Sequence, residues 1–289
     1  MKKNIVLLLV LVMTCSMTSS WTAATIIQSN IPDLGQRSHL ALTVETEEIL
    51  GQGAMQQLRA SDQLVQDAVV DEYLYNLSYK LTKALHSLDY RLDYPLKIFG
   101  FESEVLNAFA FLGGHVAVHT GLILALENEA ELAAVLSHET AHIAQRHLAR
   151  IFTNNKKLTT LTYAELLAAV LIGALGSPEA GSHLATAVMG GHIQQLINYT
   201  RDHEQEADRI GIQILAKAGF DPKAFPEVFR ILSLKTRYNE KPPEYLLTHP
   251  VHESRIADCT NRLKHLVYEP KPSDNFFFQL VRARCRCAI

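Results

Sequence analysis

"AAVLSHETAHIAQRH", residues 133–147, sets two histidines four apart with a glutamate directly after the first, inside an otherwise apolar run. Histidine and glutamate are costly to bury alone, so the spacing asks for a partner. Asn128 supplies an N-cap, Glu131 a capping-box partner three residues on, and Leu132, Val135 and Leu136 an apolar face, which together predict a helix running through the stretch. On that helix His138 and His142 stand one turn apart on one face, a spacing at which two imidazoles can bind a single zinc ion. Glu139 is turned away by about 100°, beside such an ion, where a carboxylate can serve as general base. His147, five residues past His142, falls off this face and reads as a solvated or core-edge histidine.

A catalytic zinc site needs a third protein ligand and an open position. Downstream, "YTRDHEQEADRIGIQILAKAGFDP" (199–222) has a helical pattern ended by Gly219 and offers His203, Glu204 and Glu206. Glu204 and Asp208 share a face, so Glu204 can bind the metal while Asp208 accepts the second N–H of a ligand histidine. That pairing favours Glu204. Without the first motif, the same segment reads as a solvated face with Arg201 and Arg209 paired to its acids.

The remaining chain frames these helices. Segments 44–61 and 64–85 have helical periodicity, and "LKIFGF", "NAFAF" and "HVAVHT" read as short strands, with a turn at Leu112-Gly113-Gly114. The fold class is α+β, mainly helical, with a small β-sheet beside the helix of the first motif. "HVAVHT" (115–120) is expected to be an exposed edge strand able to add an extended peptide, with His115 and His119 facing outward. In "PPEYLLTHPVHESRIAD" (242–258), His249 stands before Pro250 on backbone unsuited to regular helix, with Arg255 following.

With 48% hydrophobic and 20% charged residues and a net charge of -3 over 289 residues, the chain has mass for one sizeable core and no basic surface for nucleic acid. Lys2 and Lys3, an apolar run at 5–13 and the small residues up to Ala24 have the layout of a secretory signal over residues 1–24. Cys15 offers a lipoprotein acceptor, but Thr14 before it fits lipidation poorly. A periplasmic chain with no transmembrane span follows, because "LLAAVLIGALG" (166–176) is too short to cross a bilayer. Removing Cys15 leaves Cys259, Cys285 and Cys287: either one disulfide joins Cys259 to the tail, or the thiols stay unpaired.

"HETAH" at 138–142, "EQEAD" at 204–208 and "NAFAFLGGHVAVHTGLI" at 107–123 stand in the order seen in a zinc metallopeptidase family that includes the CAAX prenyl proteases, the HtpX heat-shock peptidases and soluble periplasmic peptidases. The chain resembles that family over roughly residues 40 to 270. The resemblance implies a gluzincin domain at 25–270 and a C-terminal tail at 271–289. It implies one zinc per chain on His138, His142 and Glu204, with Glu139 as base; Asp208 completes the catalytic set from behind a ligand histidine, with proton donation as the lesser option. The same resemblance brings the 242–258 loop close to the zinc, where His249 acts as a fourth ligand or an oxyanion stabiliser and Arg255 assists. It further implies an endopeptidase acting on unfolded, misfolded or stalled outer-membrane proteins in the cell envelope, alongside the outer-membrane assembly machinery. Periplasmic relatives with tetratricopeptide repeats extend beyond the point matching Ile289, so the repeats' partner binding does not carry over. Two other classes fit the motifs: a zinc-bound chaperone or assembly factor with little or no peptidase activity, and a non-enzymatic domain with structural zinc. Glu139 separates these in part, since a structural site has no use for a carboxylate at an open position.

Overall fold

A computed structural model describes residues 42–153, 201–238, 243–269 and 275–288. The secretory-signal segment, Cys15 and the apolar run at 166–176 lie outside them.

Two helices open the described chain: α1, Val44–Ala60, and α2, Ala68–His86. Thr43 caps the first by accepting the N–H of Thr46 at 3.1 Å. Asp67 caps the second, accepting from Val69 at 2.9 Å and Val70 at 3.2 Å. This cap delays α2 beyond the predicted start at residue 64. Leu64 stays extended and bridges Phe101 instead.

Three strands follow, β1 (Lys97–Phe101), β2 (Ala108–Phe111) and β3 (His115–His119), arranged in the order β1-β3-β2. β3 runs parallel to β1 and antiparallel to β2. The tight β2-β3 turn forms at Gly113 and Gly114, whose φ values of 76° and 79° are strained for any residue with a Cβ. The expectation for "HVAVHT" is therefore overturned. β3 is the central strand, and its five residues are buried, including His115 and His119. A strand hydrogen-bonded on both sides has no free edge to offer; β2 takes that place beside the helix of the first motif.

The short helix α3 (Thr120–Ala125) leads to α4 (Glu129–Ala144), in which every residue is buried. Its cap follows the capping-box logic with one shift. Asn128 Oδ1 accepts from the Glu131 N–H at 3.1 Å, while the Glu131 carboxylate accepts from the Asn128 side-chain amide at 2.6 Å and from the backbone of Glu127 at 2.7 Å instead of from the Asn128 backbone. Beyond it come α5 (His147–Thr153), α6 (Arg201–Lys217), α7 (Ala224–Tyr238), α8 (Glu244–Thr248), α9 (Glu253–Leu263) and α10 (Phe276–Ala288). α4 is the hub, packing against α6, α7 and β2.

The expected tail holds a docked helix. α10 packs on α2 and α3 and buries Phe278, Val281 and Cys285, while Arg282 donates to the Leu124 carbonyl at 3.0 Å. Burying Phe278 and Val281 stabilises the docking by roughly 1.5–3 kcal/mol each. Cys259, Cys285 and Cys287 are free thiols, the first two buried, so the bridge from Cys259 to the tail is not formed. Among the described residues no helix is long and apolar enough to cross a membrane.

Candidate active site

α4 and α6 cross closely, and this crossing builds the site. Gly211 on α6 allows it, since a Cβ there would stand 3.2 Å from the Cα of His138 and 2.9 Å from the ring of Phe225. His138 and His142 project from one face of α4 with their Nε2 atoms 2.9 Å apart. Glu204 arrives from α6, its Oε1 3.3 Å from His142 Nε2 and its Oε2 3.4 Å from His138 Nε2. His249, at the C-terminal end of α8, brings Nδ1 to 3.0 Å from Glu204 Oε1 and 3.3 Å from His138 Nε2. All four side chains are buried, and one ligand atom from each lies within 4.8 Å of the others.

These residues fit a zinc ion in donor type and in spacing. Bonds of about 2.0–2.2 Å arranged tetrahedrally place the ligand atoms about 3.3–3.6 Å apart, close to the separations present here. The electrostatics also ask for a cation. Burial lowers the basicity of His138, but Asp208 and Glu204 outweigh it and push the group up to about 9. Burial alone would raise the Glu204 carboxyl, yet the surrounding His249, His138 and His142 hold it well below the usual carboxylate range. His142 goes the other way: burial pulls it down to about 3 despite Glu204, which suits a neutral ligand.

Asp208, one turn beyond Glu204, sits with Oδ1 3.0 Å from His138 Nδ1. It is gripped by Arg255, whose Nε and NH2 donate to its two oxygens at 2.7 Å each. Burial would raise the Asp208 carboxyl, but Arg255 and His138 lower it. Arg255 also lies 2.9 Å from Glu204 Oε2 and donates to the Pro250 carbonyl at 2.8 Å, joining α6, α9 and the His249 loop. Arg201 and Arg209 do not pair with the acids of their own helix as the charge pattern suggested. They reach across to Ser254 and Asp258 of α9.

Glu139 stands beside the cluster without joining it. Its Oε2 accepts the backbone N–H of Ala110 on β2 at 3.0 Å, and its Oε1 faces His249 Nε2 at 3.5 Å. Burial raises this carboxyl above its ordinary value, only partly offset by His249 and His138.

The sequence reading missed one residue outright. His147 is fully buried, with Nδ1 2.8 Å from His142 Nδ1 and Nε2 3.1 Å from Glu206. α4 ends at Ala144, and Arg146 takes a positive φ of 52°, so positions beyond it leave the helical wheel on which His147 was placed. The legible signal was the acid-base match of Glu206 with Arg150, now 3.0 Å apart. Arg146 itself is anchored by α1: its Nε donates to Glu47 at 2.7 Å, and Tyr94 donates to the same carboxylate at 2.8 Å.

Comparison with known proteins agrees with this geometry. Peptidase family M48 matches residues 76–263. A Vibrio cholerae protein is 42% identical over 255 residues, covering 88% of this chain and 51% of its own length. The beta-barrel assembly-enhancing protease of Escherichia coli K12 is 37% identical over 266 residues, 92% of this chain and 53% of that protein. The mitochondrial metalloendopeptidase OMA1 of Danio rerio is 30% identical over 200 residues, 67% of this chain and 38% of that protein. The chain spans about half the length of the bacterial relatives it matches. With the family match covering both motif helices and the three strands that precede them, the chain belongs to peptidase family M48.

Proposed function

We propose that the chain is a zinc-dependent endopeptidase of the cell envelope that processes or degrades misfolded or stalled outer-membrane proteins. His138, His142 and Glu204 hold the ion, which when bound supplies Lewis acidity toward water and toward a scissile carbonyl. Glu139 takes a proton from the attacking water and returns one to the leaving amine. Asp208 holds the outer nitrogen of His138 and thereby its orientation. One observation carries the reading: a buried carboxylate next to the ligand set, outside it, and bonded to strand β2 through Ala110. A site meant only to hold a structural ion has no need of such a group.

β2 is the edge on which an extended substrate would add, since its outer backbone faces the helix that carries Glu139. Its four residues are buried, and α8 lies against its start, with the Tyr245 N–H donating to the Leu106 carbonyl at 3.1 Å. The same segment places His249 on the cluster. His249 therefore acts as a brake, filling a fourth position while its segment lies against the residue stretch that leads into β2, and Arg255 ties that segment to Glu204 and Asp208.

Location and substrate class rest on other supports. The Lys2-Lys3 start with its apolar run is the layout of an exported chain, processed after Ala24 into the periplasm. The Escherichia coli relative is named for β-barrel assembly, which favours envelope proteins and their assembly machinery as partners. The second reading, a zinc-bound assembly factor without peptidase activity, shares all of this except Glu139. Purified mature chain is incubated with an unfolded β-barrel protein, with and without chelator. Chelator-sensitive cleavage is expected; intact substrate in both arms favours the second reading. N-terminal sequencing that finds a lipid-modified Cys15 or an intact Met1 would overturn the processing site.

A further inference from the structure

The two histidines of α4 are supported in different ways. Behind His138 stands a carboxylate, Asp208, at 3.0 Å. Behind His142 stands another imidazole, His147, with Glu206 one ring further out. Arg150 closes the row by donating NH1 to the same Glu206 oxygen at 3.0 Å. His203 stacks on His147 with ring centroids 4.4 Å apart and 17° between their planes.

With metal in the cluster, the hydrogens of this row have one arrangement. His142 turns Nε2 toward Glu204 and His138, so its hydrogen must sit on Nδ1. That N–H faces His147 Nδ1, which is then the acceptor. A neutral His147 consequently carries its own hydrogen on Nε2, aimed at Glu206, and an ionised carboxylate only accepts. Each donor in the row meets an acceptor.

We infer that His147 is a positioning residue of the metal site, fixing the orientation and tautomer of His142 by relaying the Glu206 carboxylate to it. The backbone explains why a relay is needed. Glu206 is two residues past Glu204 and so is rotated by about 200° around α6, which leaves its carboxylate beyond direct reach of His142. The break at Arg146 places an imidazole in the gap. α1 holds that break, since Arg146 donates to Glu47 and, through NH2, to the Leu42 carbonyl at 2.8 Å. The two supports match in outline: each ends on a carboxylate of α6 paired with an arginine, Asp208 with Arg255 and Glu206 with Arg150.

The inference rests on the metallopeptidase reading in that zinc occupies the cluster. The test is zinc affinity by chelator competition on the purified chain and its His147→Leu and His147→Gln variants, with unfolding of the metal-free proteins measured in parallel. His147→Leu is expected to weaken zinc binding ten- to a hundredfold, the usual loss for such outer partners, with unfolding little changed. His147→Gln recovers most of the affinity, because its amide oxygen accepts from His142 and its NH2 donates to Glu206. Wild-type affinity in His147→Leu, or equal losses in both variants, overturns the inference and leaves the metallopeptidase reading standing. A wild-type chain that binds no zinc sinks both. Should the Leu variant not fold, ring nitrogen NMR of the zinc-loaded wild type decides: hydrogen on Nε2 of His147 and Nδ1 of His142 is expected, and hydrogen on Nδ1 of His147 overturns the relay.

Discussion

The backbone N–H of Ala110 donates to Glu139 Oε2 at 3.0 Å, so the edge strand β2 and the carboxylate beside the metal cluster are held as one unit. Substrate added to that strand would lie next to the base by construction. The Glu139→Gln variant keeps an oxygen for the Ala110 N–H but cannot accept the proton of water. It is expected to retain zinc and fold while losing about 10²–10⁴-fold or more of its proteolysis, the span general base catalysis supplies. Metal content and cleavage of an unfolded β-barrel protein check both halves, and near-normal cleavage would remove Glu139 from the mechanism.

Glu204 and Glu206 lie on the same helix but have different neighbours. Glu204→Ala is expected to abolish stoichiometric zinc, because its two oxygens lie within 3.4 Å of the two ligand histidines. Glu206→Ala keeps one zinc per chain at saturating metal. Metal analysis of the two proteins decides, and the reverse pattern would reassign the third ligand.

His249→Ala removes the fourth member of the cluster and leaves the other three. If His249 is the brake, proteolysis and self-cleavage rise with zinc retained. A fall in turnover of about 10²-fold would instead assign it to the oxyanion. Rates unchanged from wild type would discard both roles.

Gly211 and Gly53 offer a matched pair. A Cβ at Gly211 would press on the Phe225 ring at 2.9 Å and on the His138 Cα at 3.2 Å, so Gly211→Ala is expected to destabilise by roughly 1–3 kcal/mol and to weaken zinc binding. Gly53 sits in α1 with nothing within 4 Å, and Gly53→Ala is expected to stabilise by roughly 0.5–1 kcal/mol through helix propensity. Thermal unfolding that ranks the two alike would contradict the close crossing of α4 and α6.

His119 makes stability depend on acid. Among the described residues its ring nitrogens are buried without hydrogen-bond partners, the ring lies against Phe101 and Phe109, and burial lowers it to about 4 from an ordinary 6.5. The unfolded chain therefore binds the proton first. Stability from this group is fully present above pH 6.5 and falls as the pH drops toward 4, by about 3 kcal/mol in all. His119→Leu should flatten that part of the unfolding curve against pH; an unchanged slope would mean that other groups cause it.

Much of this protein is written in local patterns. The α4 cap at Asn128, the turn at Gly113-Gly114, the four-residue spacing of His138 and His142, and the shared face of Glu204 and Asp208 follow from helix and turn geometry over a few residues. Such features need no knowledge of what lies across the molecule. The start of α2 was misplaced for the same reason: the Asp67 cap is local, but the bridge of Leu64 to Phe101 is not.

Only the tertiary structure decided what lies opposite what. Alternation within "HVAVHT" is the same for an edge strand and a central one, so the burial of His115 and His119 came from pairing with strands on both sides. His147 could be placed on a helical wheel only as far as the helix ran, and it ran to Ala144. The helical face of Glu204 and Asp208 was readable, whereas the arrival of Arg255 on both from α9 was not. Sequence periodicity reports the direction in which a side chain leaves its own backbone; the partner it meets depends on how distant elements pack, and that set the contacts of His147, His249 and Arg255.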